Sequence, residues 1–430
     1  MPPAAADRLP SAALTEDERK ITVGNAADGT GDSQPKIGLC VSGGGFRAAF
    51  YALGAFRYLA EANLLPAITA VSAVSGGSIA AAKVASEWDT LRSACFSVET
   101  FCEVVETPMR AAVARSNLRN VWLGRALTGR GIGRGGRGIV LGEVLRESLG
   151  LPVFVAELPE APQVIFTSTC LQTGRAFRIS RDFCGSWDHG YAEPTPAQMR
   201  LGTALAASAA FPLTLTVVRV ASDELDLPRP SPDYLTLVDG GVYDNLGLEW
   251  FQGSGSGRPA SSAVCDFTVV INASGSLKPT QKVYGAARSL VRDLGIQYSQ
   301  TLNLRVRWFV DQLMKAPGTG LYIGINRDPR DYKLLDNKTA IDPAFYDGAL
   351  PSSLARRLPL VRTDLDRFSS DETALLAYHG YWSLHARLKT FRPDLAVATP
   401  EWRQFADLDS TEERRLHRIL DEAGRVRIAR

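Results

Sequence analysis

The sequence is most constrained by two short apolar segments, each of which ends in small residues and is followed by a helical pattern. Residues 36–42 (KIGLCVS) lead into three glycines at 43–45, and residues 67–74 (AITAVSAV) lead into Ser75 and two further glycines. Apolar residues at helical spacing follow the first segment to about Asn63, and an alanine-rich stretch follows the second. This order of strand, helix, strand and helix predicts a βαβ unit and therefore a parallel sheet covered by helices.

The two turns of this unit are the places where the sequence predicts chemistry. In a parallel sheet both turns lie at the carboxyl edge, where such sheets bind ligands. At the first turn, the main-chain N–H groups of Gly43, Gly44 and Gly45 are expected at a helix N-terminus, which favours negative charge. At the second, Ser75 stands in the frame Ala73-Val74-Ser75-Gly76-Gly77, which is a G-x-S-x-G nucleophile elbow with alanine at its first position.

Each of these motifs, taken alone, has another interpretation. The stretch Gly43–Ala48 also fits G-x-G-x-x-A, a dinucleotide-binding fingerprint, but the second strand lacks the acidic residue that would hold a ribose hydroxyl. An isolated serine at a tight turn is often purely structural. Two other serines are rival nucleophiles, since Ser72 is expected within the strand and Ser78 one turn into the helix.

A third motif narrows these alternatives. Val238-Asp239-Gly240-Gly241 ends another predicted strand, which puts a carboxylate at the same edge of the sheet. Together with Gly43–Arg47 and the elbow at Ser75, in this order along the chain, it resembles the patatin-like phospholipase family, whose motifs are G-G-G-x-[RK], G-x-S-x-G and D-G-[GA]. Ala206–Pro212 (AASAAFP) is similar to an alanine- and serine-rich helix of that family, so the resemblance covers about residues 36–275.

The resemblance implies a catalytic dyad. Asp239 would take the proton of the Ser75 hydroxyl as it attacks an ester carbonyl, and the amides of Gly43, Gly44 and Gly45 would hold the oxyanion. Arg47 would brace the glycine loop, with a surface charge as the alternative role. The supporting residues of the turns are Gly76, Gly77, Gly240 and Gly241.

Two departures from the family pattern bear on activity. Ala73 stands where the elbow usually has glycine, and Ala48 stands where a glycine often follows the basic residue. Both are small, so the geometry is expected to survive with a slightly more strained elbow. His379 and His385 follow Asp239 in the order of a Ser–Asp–His triad, but their spacing of six on a predicted helix favours packing instead.

Composition and charge exclude several other classes of function. A content of 45% hydrophobic and 22% charged residues is typical of a globular protein with a sizeable core. The net charge of +2 does not favour nucleic-acid binding, so no nucleic-acid partner is predicted. The six cysteines include no C-x-x-C pair, and no acidic loop resembles a calcium site, so neither a metal nor a cofactor is predicted.

The location of the protein is predicted from what the sequence lacks. The first twenty residues have no continuous apolar segment of the kind found in signal peptides. Uncharged runs at 62–82 and 201–218 are interrupted by proline and rich in small residues, so they are interpreted as buried parts of the core. The prediction is a cytoplasmic protein, with peripheral contact at the inner face of a membrane.

An arginine-rich segment at 110–137 carries seven arginines and no acidic residue, interleaved with Trp122 and several aliphatic residues. Such a segment predicts peripheral contact with anionic lipid, and its glycine-rich end suits a lid beside the active site. The alternatives are an insertion packed on the core and a stretch that binds the phosphate of a nucleotide.

The chain is predicted to divide into an irregular tail at 1–35, a hydrolase core at 36–275 with an insertion at about 88–160, a helical extension at 276–395 that packs on the core, and a charged helix at 396–430. Further strands are predicted at 164–170, 176–180, 235–239, 267–273 and 320–325. Helices are predicted at 199–210, at 280–311 with a break near Gly295, and at 371–388. A flexible loop is expected at 253–257, and Ser410 with Glu413 forms a capping-box pattern.

The predicted fold is thus a three-layer α/β core with a mostly parallel sheet. The resemblance implies a lipid substrate, with hydrolysis of fatty-acyl esters in phospholipids, lysophospholipids or acylglycerols. A general esterase or thioesterase would keep the chemistry with another substrate. A catalytically silent lipid-binding or regulatory protein would keep only the fold.

Overall fold

The two apolar segments that precede the small-residue turns form neighbouring parallel strands. In the computed structural model, β1 (Ile37–Val41) and β2 (Ile68–Val74) pair in parallel with Val41 opposite Ala73. Every residue of β1 is buried, because helices cover both faces of the sheet. The paired ends bring the glycines that follow β1 beside the serine that follows β2.

The structure describes residues 34–115, 117–127, 137–210, 217–252, 258–275, 277, 280, 285–334, 336 and 338–424. Pro35–Arg430 form one compact unit. The predicted tail at 1–35 lies almost entirely outside the described residues, as do the predicted loop at 253–257 and most of the glycine-rich end of the arginine-rich segment.

The described strands form one sheet in the order β10-β9-β1-β2-β3-β4-β5-β6, with β8 also paired to β3 and β7 to β8. The strands after β2 are β3 (Gln163–Cys170), β4 (Arg175–Ile179), β5 (Cys184–Ser186), β6 (Gly190–Ala192), β7 (Val218–Ala221), β8 (Tyr234–Asp239), β9 (Phe267–Asn272) and β10 (Gly320–Gly324). Pairing is parallel from β10 to β3 and antiparallel beyond. The prediction of an α/β fold with a mostly parallel central sheet is confirmed.

Helices lie on both faces of this sheet. The α-helices are α1 (Gly45–Glu61), α2 (Gly76–Ser86), α3 (Trp88–Ser93), α4 (Val98–Phe101), α5 (Thr107–Arg115), α6 (Leu118–Leu127), α7 (Arg137–Leu149), α8 (Leu201–Ala209), α9 (Gly241–Asp244), α10 (Glu249–Gln252), α11 (Ala286–Lys315), α12 (Ser352–Ala355), α13 (Ser370–Phe391) and α14 (Ser410–Ala423). A π-helical turn, Cys102–Glu106, joins α4 to α5. Short 3₁₀ turns are Leu65–Ala67, Val155–Glu157, Ser222–Glu224, Pro329–Asp331, Pro343–Tyr346, Leu358–Leu360 and Pro393–Leu395.

Strand β8 reaches the carboxyl edge of the sheet by running against the parallel strands. Strand β2 pairs with β3 only as far as Val74 opposite Thr167, and β3 continues beyond this point to Cys170. Strand β8 pairs antiparallel with this protruding end, with Asp239 opposite Ser168. Strand β4 occupies the other side of β3, so β8 and β2 share one side of β3 and meet end to end. The carboxylate therefore lies at the predicted edge, although its strand is not one of the parallel set.

Helix α1 packs closely against α13, and glycine allows the approach. A Cβ atom at Gly54 would overlap the carbonyl oxygen of Ala377, and one at Gly380 would overlap that of Tyr51. Almost all of α1 is buried between this helix and the sheet. The core therefore extends from the sheet into the C-terminal region, while the predicted domain boundaries stay a prediction.

Most predicted elements are confirmed, with two corrections. The break near Gly295 is wrong, because α11 continues from Ala286 to Lys315 and one glycine costs a helix only about 1 kcal/mol. The cap of α14 is Asp409 rather than Ser410, since the Asp409 carboxylate accepts the N–H groups of Thr411 and Glu412, both at 2.8 Å.

Candidate active site

Ser75 lies at a strained turn between β2 and α2. Its backbone has φ 51° and ψ −119°, a left-handed conformation that costs a residue with a side chain about 1–3 kcal/mol. The next two residues must be glycine, because a Cβ atom at Gly76 would overlap the Gly45 carbonyl and one at Gly77 would lie 2.5 Å from the Val41 carbonyl. This geometry is that of a nucleophile elbow, which holds a hydroxyl clear of the main chain.

Ser208 of α8 holds the elbow in place. Its hydroxyl accepts the Ser75 N–H at 2.9 Å and donates to the Thr167 carbonyl at 2.8 Å. The main-chain carbonyl of Ser208 accepts the Gly240 N–H at 3.2 Å, so one buried residue ties the serine turn to the turn that follows β8. Ser208 belongs to the alanine- and serine-rich stretch noted in the sequence, but the sequence assigns it no role.

Asp239 is buried at the end of β8 and faces the elbow. The Gly241 N–H donates to its Oδ1 at 2.7 Å. Burial raises the pKa of Asp239 to about 6, and the interaction with the Ser75 side chain and the hydrogen bond from Gly241 oppose this rise. Gly240 is required here because a Cβ atom would overlap the Thr167 carbonyl. The carboxyl group is thus poised to accept a proton near neutral pH.

The three glycines after β1 do not have equivalent amides. The Gly43 N–H donates to the Asn245 carbonyl at 3.0 Å, so the prediction that Gly43 helps to hold an oxyanion is corrected. Within the described residues the N–H groups of Gly44 and Gly45 have no acceptor. A Cβ atom at Gly43 would stand 3.1 Å from the Ser75 Cβ, so the loop packs directly on the elbow.

A segment of the C-terminal region, residues 359–365, covers the glycine loop. Gly45, with φ 55°, lies so close to the Thr363 carbonyl that a Cβ atom would overlap it. The Phe46 N–H donates to the Asp364 carbonyl at 3.5 Å. The sequence assigned this region no part in the site, because nothing local marks a segment that becomes important only by contact.

Arg47 braces this arrangement from inside. Its guanidinium donates to the carbonyls of Ala273 at 2.9 Å, Pro359 at 2.9 Å and Val361 at 2.8 Å. Burial lowers the pKa of Arg47 to about 10, so the group remains a cation at neutral pH. These bonds join the loop after β9 to the 359–365 segment, and they exclude the alternative of a surface charge.

A cavity of about 750 Å³ opens in front of Ser75 and Asp239. Its apolar walls come from three regions of the chain and include Trp122, Leu123, Leu141, Leu277, Leu360 and Leu365. Asn245 and Tyr298 also line it and were missed by sequence reasoning. Burial raises the pKa of the Tyr298 phenol, and the nearby Asp239 carboxylate raises it further.

The alternative candidates for nucleophile and base, two serines and two histidines, do not line the cavity. The Ser72 hydroxyl is buried without a hydrogen-bond partner, and the Ser78 hydroxyl contacts Ser208 at 2.8 Å. His379 Nε2 lies 3.3 Å from the Ile325 carbonyl, and His385 Nδ1 lies 3.0 Å from the Tyr58 hydroxyl. Burial lowers the pKa of both histidines to about 4, and neither lines the cavity.

The two departures from the motif pattern add no backbone strain. Ala73 lies within β2 and Ala48 within α1, and neither has a positive φ. The strain of the elbow is confined to Ser75. The expectation of a more strained elbow is therefore wrong, because neither alanine stands where the backbone requires glycine.

The arginine-rich segment packs on the core beside the cavity. Val113, Leu118 and Trp122 are buried, and Arg119 lines the cavity. Three of its arginines form ion pairs: Arg110 with Glu106 at 3.4 Å, Arg119 with Asp364 at 3.6 Å and Arg125 with Glu147 at 2.8 Å. Among the residues that the structure describes, no helix has the length and apolar character to cross a membrane, and no cluster of metal-binding side chains occurs.

Comparison with known proteins gives one family match and several structural neighbours. Residues 39–250 match the family model described as patatin-like phospholipase. Human GIVD cytosolic phospholipase A2 is similar in structure, with 13% identity and a TM-score of 0.43 over 94% of this chain and 62% of that chain. VipD from Legionella pneumophila is similar with 14% identity and a TM-score of 0.33 over 91% of this chain and 74% of that chain. No curated protein matches the sequence.

Proposed function

Since residues 39–250 are a patatin-like phospholipase domain, we propose that this protein is a serine hydrolase that cleaves fatty-acyl ester bonds of lipids. The observation that carries the proposal is that Ser75, at its strained turn, and the buried Asp239 carboxylate line the same largely apolar cavity, where the Ser75 side chain stabilises the ionised carboxylate. A nucleophile beside a base supplies the two groups that acyl transfer needs.

The reaction begins with attack of Ser75 Oγ on the ester carbonyl carbon. Asp239 accepts the hydroxyl proton as the new C–O bond forms, and the carbonyl oxygen becomes an oxyanion. Collapse of this intermediate breaks the ester bond, and the alcohol leaves with the proton from Asp239. Water then attacks the acyl-serine with Asp239 again as the base, which releases the fatty acid and restores Ser75.

The oxyanion is assigned to the amides of Gly44 and Gly45, since both residues line the cavity at the start of α1. A fixed donor of this kind commonly contributes about 3–4 kcal/mol to the transition state. The N-terminus of α1 adds a favourable dipole. Because Gly43 already donates to Asn245, its part is to hold the loop against the elbow.

A lipid acyl chain suits the cavity because most of its lining surface is apolar and its volume is about 750 Å³. The substrate classes are phospholipids, lysophospholipids or acylglycerols. A general esterase or thioesterase would use the same residues on a smaller or activated ester. A catalytically silent lipid-binding protein would use the cavity without the dyad.

Peripheral contact with anionic lipid through residues 110–137 remains part of the proposal. Ion pairs neutralise three of the described arginines, so the attraction would depend on exposed residues such as Arg115 and Val121. Sedimentation with anionic and zwitterionic vesicles, compared between wild type and Arg115→Gln, measures this contribution.

The experiment that tests the proposed function compares wild type with Ser75→Ala, Asp239→Asn and Ser72→Ala on a nitrophenyl ester and on a panel of lipids. Loss of hydrolysis in the first two variants, with activity kept in Ser72→Ala, supports the dyad. If wild type and Ser75→Ala hydrolyse every substrate to the same extent, the enzyme proposal fails. Lipid binding that survives in Ser75→Ala would then favour the silent binding protein.

A further inference from the structure

A second cavity of about 550 Å³ adjoins the one at Ser75. The two share four lining residues, Ser274, Gly275, Leu277 and Ser299. The second cavity lies between α11, β10 and the end of α13. A molecule that occupies the first cavity therefore has a neighbouring space into which a further part of it extends.

One wall of the second cavity is apolar. It is formed by α11, which presents Leu302, Val306, Val310 and Leu313 at intervals of three or four residues. This spacing places them along one face of the helix. A wall of this kind accommodates the hydrocarbon part of an amphipathic molecule.

The cavity also has basic lining residues, which are Arg327, Lys333 and Arg387. The one carboxylate in the described lining is Asp331, which already pairs with Arg356 at 3.2 Å. The second cavity therefore carries an excess of positive charge beside an apolar wall.

Arg387 is held rigidly in this position. Its Nε donates to the Tyr322 carbonyl at 3.1 Å, and its guanidinium carbon lies 4.6 Å from the ring centroids of Tyr332 and Phe391. Within the described residues its two terminal nitrogens have no hydrogen-bond partner, and neither Arg387 nor Arg327 pairs with a carboxylate. Burial lowers the pKa of Arg387, and the nearby Arg327 cation lowers it further. Two guanidinium groups that line one cavity without a carboxylate partner form a site that an anion would stabilise.

We propose that this basic cavity binds the phosphate of the lipid headgroup while the acyl ester lies at Ser75. The preferred substrates are then phosphate-bearing lipids, either glycerophospholipids or lysophospholipids, rather than neutral acylglycerols. The inference rests on the proposed function and narrows its substrate class. Arg327 and Arg387 are the residues that select the phosphate, since a planar guanidinium binds two phosphate oxygens at once.

Binding is tested in a variant that lacks the proposed nucleophile and so cannot hydrolyse its ligand. Ser75→Ala is titrated with decyl phosphate below its micellar concentration, with decanol and with inorganic phosphate. We expect decyl phosphate to bind more tightly than either of the other two, because it uses both the apolar wall and the cations. In the Ser75→Ala background, a second substitution Arg327→Gln weakens decyl phosphate binding roughly tenfold. In the same background, Arg387→Lys weakens binding less than Arg387→Gln does. Equal binding of decanol and decyl phosphate overturns the proposal, and tight binding of inorganic phosphate alone points to a free-phosphate site instead.

Hydrolysis kinetics provide a second test of the proposal. The ratio of kcat/KM for a lysophospholipid to that for the monoacylglycerol with the same acyl chain falls roughly tenfold in Arg327→Gln. Arg92→Gln, which removes an exposed arginine paired with Asp89 on α3, is the matched control and leaves the ratio unchanged. If both substrates decline by the same factor in Arg327→Gln, the headgroup assignment is wrong while the hydrolase stands. If wild type hydrolyses neither lipid but decyl phosphate still binds through Arg327, the proposed function fails and the anion site stands.

Discussion

The hydroxyl of Ser208 accepts a hydrogen bond from the main-chain N–H of Ser75 at 2.9 Å and donates one to the Thr167 carbonyl at 2.8 Å. One side chain thereby fixes the serine elbow to the middle of β3. Because the Ser208 carbonyl also accepts the Gly240 N–H, the same residue sets the position of both members of the proposed dyad.

Ser208→Ala removes the acceptor of the Ser75 N–H and the donor to Thr167. We expect a loss of about 1–3 kcal/mol in the free energy of unfolding, because buried polar groups lose their partners. We expect kcat to fall between about tenfold and a hundredfold with a smaller change in KM, because the nucleophile is misplaced while the cavity is kept. Ser78→Ala is the control, since it loses only the contact between the two hydroxyls. Equal kcat values for the two variants would contradict this role.

The activity should depend on pH through Asp239. Its pKa of about 6 means that the carboxylate, which is the form that accepts the Ser75 proton, is lost as the pH falls through about 6. We expect kcat/KM for a nitrophenyl ester to rise with pH across this value and to level off above about 7. A profile that is flat between pH 5 and 8 would show that another group is the base.

Asp239→Asn should stabilise the fold while it abolishes activity. The folded-state pKa of about 6 lies above the ordinary aspartate value of 3.8, so between these pH values the folded state holds a proton that the unfolded state releases. Ionised Asp239 therefore lowers stability as the pH rises from about 4 to 6, and this cost is fully present above pH 6. Replacing it removes up to about 3 kcal/mol of cost, less what the lost hydrogen bonds contribute. Urea denaturation at pH 7.5 and at pH 4 measures the difference, which should shrink at the lower pH. A variant less stable than wild type at pH 7.5 would show that the hydrogen bonds outweigh the burial cost.

Gly45→Ala tests the contact between the glycine loop and the 359–365 segment. We expect a loss of about 2 kcal/mol or more, from the left-handed backbone and from overlap with the Thr363 carbonyl. Gly174→Ala is the control, since Gly174 has φ 67° but no atom within 4 Å of the added Cβ, and it should cost only about 1 kcal/mol. Thermal unfolding and ester hydrolysis are measured together. If Gly45→Ala and Gly174→Ala lose equal stability, the contact with the Thr363 carbonyl does not limit the side chain at position 45.

Arg362→Gln tests what anchors the 359–365 segment. The buried guanidinium donates to Asp366 at 2.7 Å and to Glu372, so its loss leaves two buried carboxylates without their cation. We expect a loss of about 3–5 kcal/mol in stability, with part restored in Arg362→Lys. Arg357→Gln breaks an exposed pair with Asp421 and should cost less than about 1 kcal/mol. Similar unfolding midpoints for the Arg362 and Arg357 glutamine variants would contradict this anchoring role.

Local patterns in the sequence were sufficient to predict the βαβ unit, the elbow at Ser75 and the alternation of strands and helices. Each depends on residues that are close along the chain: an apolar run gives a strand, and glycines give the turn that follows it. Asp239 was placed at the correct edge of the sheet, although its strand reaches that edge in the antiparallel direction. The two errors of local reasoning, at Gly295 and Ser410, concern a helix long enough to absorb one glycine and a stronger acceptor one residue earlier.

The tertiary structure alone decided which amides are free and what closes the cavity. The Gly43 N–H donates to the carbonyl of Asn245, about two hundred positions along the chain, and is therefore not free. The carbonyls that accept from Arg47 belong to Ala273, Pro359 and Val361, which are also distant in sequence. The basic second cavity likewise joins a loop after β10 to the end of α13. A sequence records which groups are available to donate, accept or carry charge. Which groups become partners is decided by packing between distant segments. A buried polar group without a hydrogen bond is costly, so each pairs with whichever acceptor or donor the fold brings beside it.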